Sequence, residues 1–261
     1  MPRKASVAAA TVVAVVVTLV GIGPARANHN NKAAPSGGSN TGGNLVAALL
    51  AQLLPPPPAA APATTTTTTT VPVRNLETGI SGPAVRLLEE RLDALRYFVG
   101  AVDGKYDDDT FHAVMAFQKV NRLARTGTVD GGRLWAAMQN ATTPAPLVPD
   151  GGSHRVEVDL ARQVLFLYQG GQLDRIVAVS SGTSATPTPR GDFRIYRFDP
   201  GWHTSALGRL YNAEYFIGGY AIHGSLSVPE RPASHGCVRI PMTAADWFPD
   251  QVGMGTPVYV R

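Results

Sequence analysis

The sequence is poor in cysteine, with a single one, Cys237, in 261 residues, so no disulfide can form within the chain. Aromatic residues make up only 7%, which leaves Val, Leu and Ala to build the cores. Net charge is also scarce. The whole chain carries +4, and Arg3, Lys4 and Arg26 fall in the first 27 residues, which hold no acid. Beyond them, 20 basic residues face 19 acids, a balance of +1. No basic stripe remains to neutralise phosphates, which excludes a nucleic-acid partner. Nor does any apolar run reach the roughly 20 residues that a membrane span needs.

What is present at the start is an export pattern. Arg3 and Lys4 precede the apolar run 8–20, Gly21, Gly23 and Pro24 break it, and Ala25-Arg26-Ala27 offers a cleavage site. Residues 1–27 are therefore expected to be a signal peptide, and the protein to be exported, cell-wall or extracellular. Membrane contact is expected only where that segment stays uncleaved. In an oxidising compartment an odd cysteine points to a reactive thiol.

Residues 28–74 have the composition of a tether: Ser36-Gly37-Gly38-Ser39, a proline run from Pro55 to Pro58, and a threonine tract from Thr64 to Thr70. The run 45–54 within it is too short to cross a bilayer. Residues 75–140 read as a small helical module. Pro83 opens a helix whose stripe is Val85, Leu88, Leu92 and Leu95. Asp107 or Asp108 caps a second helix carrying Phe111, Val114, Met115 and Phe117. Asp130 caps a third, with Leu134, Trp135 and Met138 on one face.

A Pro- and Gly-rich linker, 141–153, follows, and then the period changes to two. Strands are expected at 156–160, 164–168, 175–179, 192–196, 221–222 and 258–260, with Gly170-Gly171 as a hairpin turn. One helix is expected at 243–248, with Thr243 and Asp246 at capping-box spacing. The predicted fold is multidomain α+β: a three-helix module, then a mainly β, sandwich-like domain over 154–261.

The chemistry concentrates in Ala233-Ser234-His235-Gly236-Cys237-Val238-Arg239, with His223-Gly224 fourteen positions upstream of Cys237. A thiol with histidines nearby is the arrangement of a cysteine nucleophile and its base. The imidazole acts either as a base or in a thiolate–imidazolium pair. A glycine beside the nucleophile leaves room for substrate, and the amides of Gly236 and Cys237 are candidate oxyanion donors. Other readings are a buried, inert thiol and a zinc site from His223, His235 and Cys237, although His-x-Cys is not a usual zinc spacing. Arg239 reads as a solvated strand charge or as a clamp for a substrate carboxylate.

Two resemblances attach to these residues. Leu76-Glu77-Thr78-Gly79, Val102-Asp103-Gly104-Lys105-Tyr106, Ala113-Val114-Met115-Ala116-Phe117-Gln118 and Gly127-Thr128-Val129-Asp130 resemble the bacterial peptidoglycan-binding-like domain. Glu89 stands where that family usually has Gln, and Asp107 where it has Gly. Ile222-His223-Gly224-Ser225, Ala233 to Ile240, Thr186-Pro187-Thr188-Pro189-Arg190-Gly191, and the terminal Gly255 to Val260 resemble the L,D-transpeptidase (YkuD-type) catalytic domain.

The second resemblance implies that Cys237 is the nucleophile. It makes His223 the general base and then acid, oriented by the Gly224 carbonyl. His235 and Ser234 shape the site, His235 with Gly236 and Cys237 contributes backbone donors, and Arg239 contacts a stem-peptide carboxylate. It implies peptidoglycan stem peptides as partner, no cofactor and no metal, and acylation of the thiol by carbapenems. The expected activity is cross-linking of stems through a cysteine acyl-enzyme. The alternatives are an L,D-carboxypeptidase with the same site and a non-catalytic wall-binding protein. The sequence leaves the acceptor and the oligomeric state open.

Overall fold

The computed structural model describes residues 75–261; the expected signal peptide and tether lie outside the described residues. Among these residues are four α-helices and nine strands.

Helix α1 is Pro83–Ala94, with proline in its first turn and Val85, Leu88 and Leu92 buried. Helix α2 is Asp108–Val120, and Asp107 caps it by accepting from the amides of Asp109 and Thr110. Helix α3 is Arg133–Asn140. Its cap comes from three residues before its first turn: Asp130 Oδ1 accepts from the Leu134 amide at 2.6 Å. The two departures from the usual module pattern both carry structure. Asp107 is the cap just described. Glu89 is wholly buried and accepts from the Gly104 amide at 2.8 Å and from the Thr110 hydroxyl at 3.0 Å.

The strands are β1 Arg155–Asp159, β2 Val164–Gln169, β3 Gln172–Ala178, β4 Gly191–Arg194, β5 Arg197–Ser205, β6 Gly208–Ile217, β7 Tyr220–Gly224, β8 Val238–Ile240 and β9 Pro257–Val260. They form two sheets, β3-β2-β1-β9-β4 and β5-β6-β7-β8. Gly170 and Gly171 close the β2–β3 hairpin with φ of 57° and 79°, the left-handed pair that a two-residue turn matching strand twist demands. In the second sheet β7 and β8 are parallel neighbours. Helix α4, Met242–Trp247, packs beside them.

Three expectations need correction. Strands β5, β6 and β8 were not foreseen, and β5–β6 is a long hairpin beside the site. The capping box of α4 is absent: Pro241 occupies the cap with no side-chain hydrogen bond, Thr243 donates its hydroxyl to Asp109 in the helical module, and Asp246 accepts from Tyr211. Finally, β1 does not alternate between core and water, because all five of its residues are buried.

That double burial has a structural cause. Leu165, Leu167 and Val177 face a core shared with Ile222, Val238 and Ile240 of the second sheet. Val164, Phe166, Tyr168, Ile176 and Ala178 face the opposite way, into the core of the helical module. The module is thus docked on the outer face of the first sheet. Backbone bonds reinforce the contact, from the Ile176 amide to Arg96 and from the Phe98 amide to Ile176. Lys119 of α2 is fully buried and donates from Nζ to the Val179 carbonyl at 2.9 Å; burial pushes its amine down to about 7. The connection 141–153 is fastened as well. Arg155 and Glu157 form an ion pair at 2.7 Å with almost no exposure, and Glu157 also accepts from the Leu147 amide. Breaking such a buried pair by removing one partner typically costs about 3–5 kcal/mol.

Candidate active site

Strand pairing brings the two key side chains to one pocket. In the parallel β7–β8 ladder Ile222 lies opposite Val238, and His223 opposite Arg239. Successive strand residues alternate faces. Ile222 and Val238 point into the core between the sheets. The residues flanking them, His223, Cys237 and Arg239, therefore share the other face, where all three line one pocket of about 700 Å³. Ser234 and His235 line it too. Every side chain singled out from the sequence thus reaches one cavity; the glycines Gly224 and Gly236 shape the backbone beside it.

His223 is 5% exposed. Its Nδ1 lies 2.9 Å from the Gly224 carbonyl. A carbonyl only accepts, so Nδ1 carries the hydrogen and Nε2 holds the lone pair. Burial pushes the imidazole down to about 4, against a smaller opposing effect of the Gly224 bond, and nearby Arg239 adds to the lowering. The Cys237 thiol is displaced the other way: burial raises it, partly offset by the Ala221 amide and by Arg239. Both displacements favour uncharged forms. They do not favour a thiolate–imidazolium pair.

The turn that presents Cys237 is held from within and from outside. Ser234 Oγ donates to the Cys237 carbonyl at 2.5 Å and accepts from the Gly236 amide at 3.0 Å. This corrects one expectation, since the Gly236 amide is occupied by Ser234 and is not a free oxyanion donor. Among the described residues the amides of His235 and Cys237 have no partner. Gly236 has φ of 119°, and a Cβ there would stand 2.3 Å from Tyr220 Cε1, so position 236 admits only glycine without rearrangement.

Outside the turn, the segment 181–188 acts as a brace. Thr188 Oγ1 donates to the Gly236 carbonyl at 2.7 Å and accepts from the Gly182 amide at 2.9 Å. Thr186 Oγ1 donates to the Ser234 carbonyl at 3.1 Å. The Thr186-Pro187-Thr188 part of the sequence pattern therefore serves the cysteine turn rather than the reaction directly. Reasoning from sequence missed the wall contributed by β5–β6, which brings Arg197, Trp202, Arg209 and Tyr215 into the pocket. No group of three or more His, Cys, Asp or Glu side chains among the described residues is arranged to hold a metal ion, so His223, His235 and Cys237 do not make a ligand set.

Comparison with known proteins places this geometry. Residues 153–260 match the L,D-transpeptidase catalytic domain, YkuD, and residues 81–138 match the peptidoglycan binding domain family. No match is found among curated proteins. Among solved structures, an L,D-transpeptidase from Xylanimonas cellulosilytica is 38% identical, with a TM-score of 0.68 over 72% of this chain and 98% of that one. An L,D-transpeptidase from Stackebrandtia nassauensis is 21% identical, with a TM-score of 0.45 over 73% of this chain and 96% of that one. One from Mycobacterium smegmatis is 23% identical, with a TM-score of 0.39 over 42% of this chain and 58% of that one. On the strength of the first of these structures and of its own catalytic-domain match, the chain belongs to the L,D-transpeptidase family.

Proposed function

We propose that the protein is an exported peptidoglycan L,D-transpeptidase that works through a Cys237 acyl-enzyme. The observation that carries this reading is that the Cys237 thiol and the His223 imidazole line one pocket, with Nδ1 of the imidazole tied to the Gly224 carbonyl. That tie leaves Nε2 as the base.

In the proposed cycle, Cys237 Sγ attacks the carbonyl carbon of the L-centre of a diamino acid in a tetrapeptide stem. Nε2 of His223 takes the thiol proton as the S–C bond forms, so no thiolate need accumulate beforehand. The unoccupied amides of His235 and Cys237 are the donors for the developing oxyanion. Collapse breaks the C–N bond to the terminal D-alanine, whose nitrogen takes the proton from His223. An amine of a second stem then attacks the thioester and gives its proton to His223. The sulfur leaves, the thiol regains that proton, and a cross-link remains. The helical module would keep the site against the wall, and residues 1–27 would direct export.

The test is incubation with disaccharide-tetrapeptide followed by mass spectrometry. Cross-linked dimers are expected from the wild type and none from Cys237→Ala. Tripeptide product without dimers would make the enzyme an L,D-carboxypeptidase. Dimers from Cys237→Ala would overturn the thiol chemistry. Treatment with a carbapenem is expected to add one adduct mass, mapped to Cys237.

A further inference from the structure

The charge of the reaction pocket is one-sided. Three arginines, Arg197, Arg209 and Arg239, line it, and no Asp or Glu does. They are not equivalent. Arg197 lies over the Tyr215 ring at 3.7 Å and has Asp199 at 3.4 Å, so its charge is partly answered within the chain. Among the described residues Arg239 and Arg209 have no carboxylate partner. Arg239 sits next to the cysteine turn. Arg209 belongs to β6 of the long hairpin, a wall that the reacting groups do not need.

Arg209 is also pre-positioned. Its guanidinium lies 4.1 Å above the Trp202 ring, and that indole is tilted against Tyr211 with centroids 5.1 Å apart. A guanidinium held over an indole by cation–π attraction leaves N–H groups for the solvent side, and their fork matches the two oxygens of a carboxylate. A primary amide presents one acceptor and no charge, so it answers only part of that fork and gains nothing from the field of the pocket.

We propose that Arg209, held against Trp202, is a specificity-determining residue that selects stem peptides with free side carboxylates over stems in which those groups are amidated. The inference rests on the transpeptidase reading above and names the chemical form of its substrate. It is independent of the nucleophile, because Arg209 makes no hydrogen bond to Cys237 or His223.

The test uses the full chain and two disaccharide-tetrapeptide donors that differ only in whether the side carboxylates are free or amidated. The wild type should favour the free form by about tenfold in kcat/KM, mostly through KM, as expected for a charge-assisted pair. The preference should shrink as salt rises. Arg209→Gln should bring the two donors to within about twofold, and Arg209→Lys, which keeps the charge but not the fork, should fall between. Thermal midpoints of the variants should stay near that of the wild type, since the side chain is on the surface.

Equal rates for the two donors in the wild type, or a full preference retained in Arg209→Gln, would overturn the inference. Cys237→Ala run alongside separates the two ideas. Donor consumption that survives it sinks the thiol chemistry. Consumption that depends on Cys237 but ignores amidation sinks only the role of Arg209.

Discussion

Two buried titratable groups should hide each other's effect on stability. His223 is 5% exposed and Glu214 2% exposed. Burial drives the His223 imidazole from 6.5 down to about 4, and drives the Glu214 carboxyl from 4.5 up to about 7. Both groups prefer to be neutral when folded, but their protons move in opposite senses. Between pH 4 and 6.5 unfolded His223 binds a proton that folded His223 refuses, so its contribution is full above pH 6.5 and is lost as pH falls toward 4. Between pH 4.5 and 7 folded Glu214 holds a proton that the unfolded chain releases, so its contribution is full below 4.5 and is lost as pH rises toward 7. At 1.36 kcal/mol per pH unit, each changes stability by about 2–3 kcal/mol across the shared window from 4.5 to 6.5.

The opposed slopes predict that, for these two groups, the wild type is nearly flat in that window. Neutral replacements should unmask them. Relative to the wild type, His223→Gln should lose about 2–3 kcal/mol of stability as pH rises from 4.5 to 6.5, and Glu214→Gln should gain a similar amount. Urea unfolding at several pH values measures this directly. Differences from the wild type cancel every other titrating group, including Lys119, whose transition lies higher. Curves for the three proteins that run parallel would refute the reasoning.

Gly236→Ala should cut kcat steeply and lower stability by about 1–3 kcal/mol, because the left-handed φ is strained for alanine and its Cβ would collide with Tyr220; turnover and a urea midpoint check both, and wild-type turnover would show that the turn tolerates the shift. Tyr168 has a buried hydroxyl with no partner among the described residues. Tyr168→Phe should therefore raise stability by about 1 kcal/mol while Arg155 stays stacked over the ring, and a lower urea midpoint would count against the orphaned hydroxyl.

The reactive residues were legible because they are rare types in a tight run: one thiol, a histidine before a glycine, and a second histidine two positions from the sulfur. The helices were legible from their stripes and caps. The β5–β6 hairpin was not. Pro200 and Gly201 interrupt β5 and read as a turn, yet they fall at an irregularity between Asp199 and Trp202, the kind of place where a strand tolerates proline. Strand β8 is three residues long, too short for a period to show. The occupied amide of Gly236 depends on where the Ser234 hydroxyl points, and no pattern of letters encodes a rotamer. The burial of Arg155 and Glu157 was hidden because charged residues in alternation suggest water; their mutual pairing is what lets them sit inside.

The seam between helices and sheet sets a lower limit on what can be cut away. A fragment begun at residue 153, where the catalytic-domain match starts, would bare Val164, Phe166, Tyr168 and Ile176 together. Such an oily patch invites self-association. The smallest self-sufficient piece therefore begins near residue 75. Grafting the enzyme onto another wall-targeting part means bringing these three helices along as its lining.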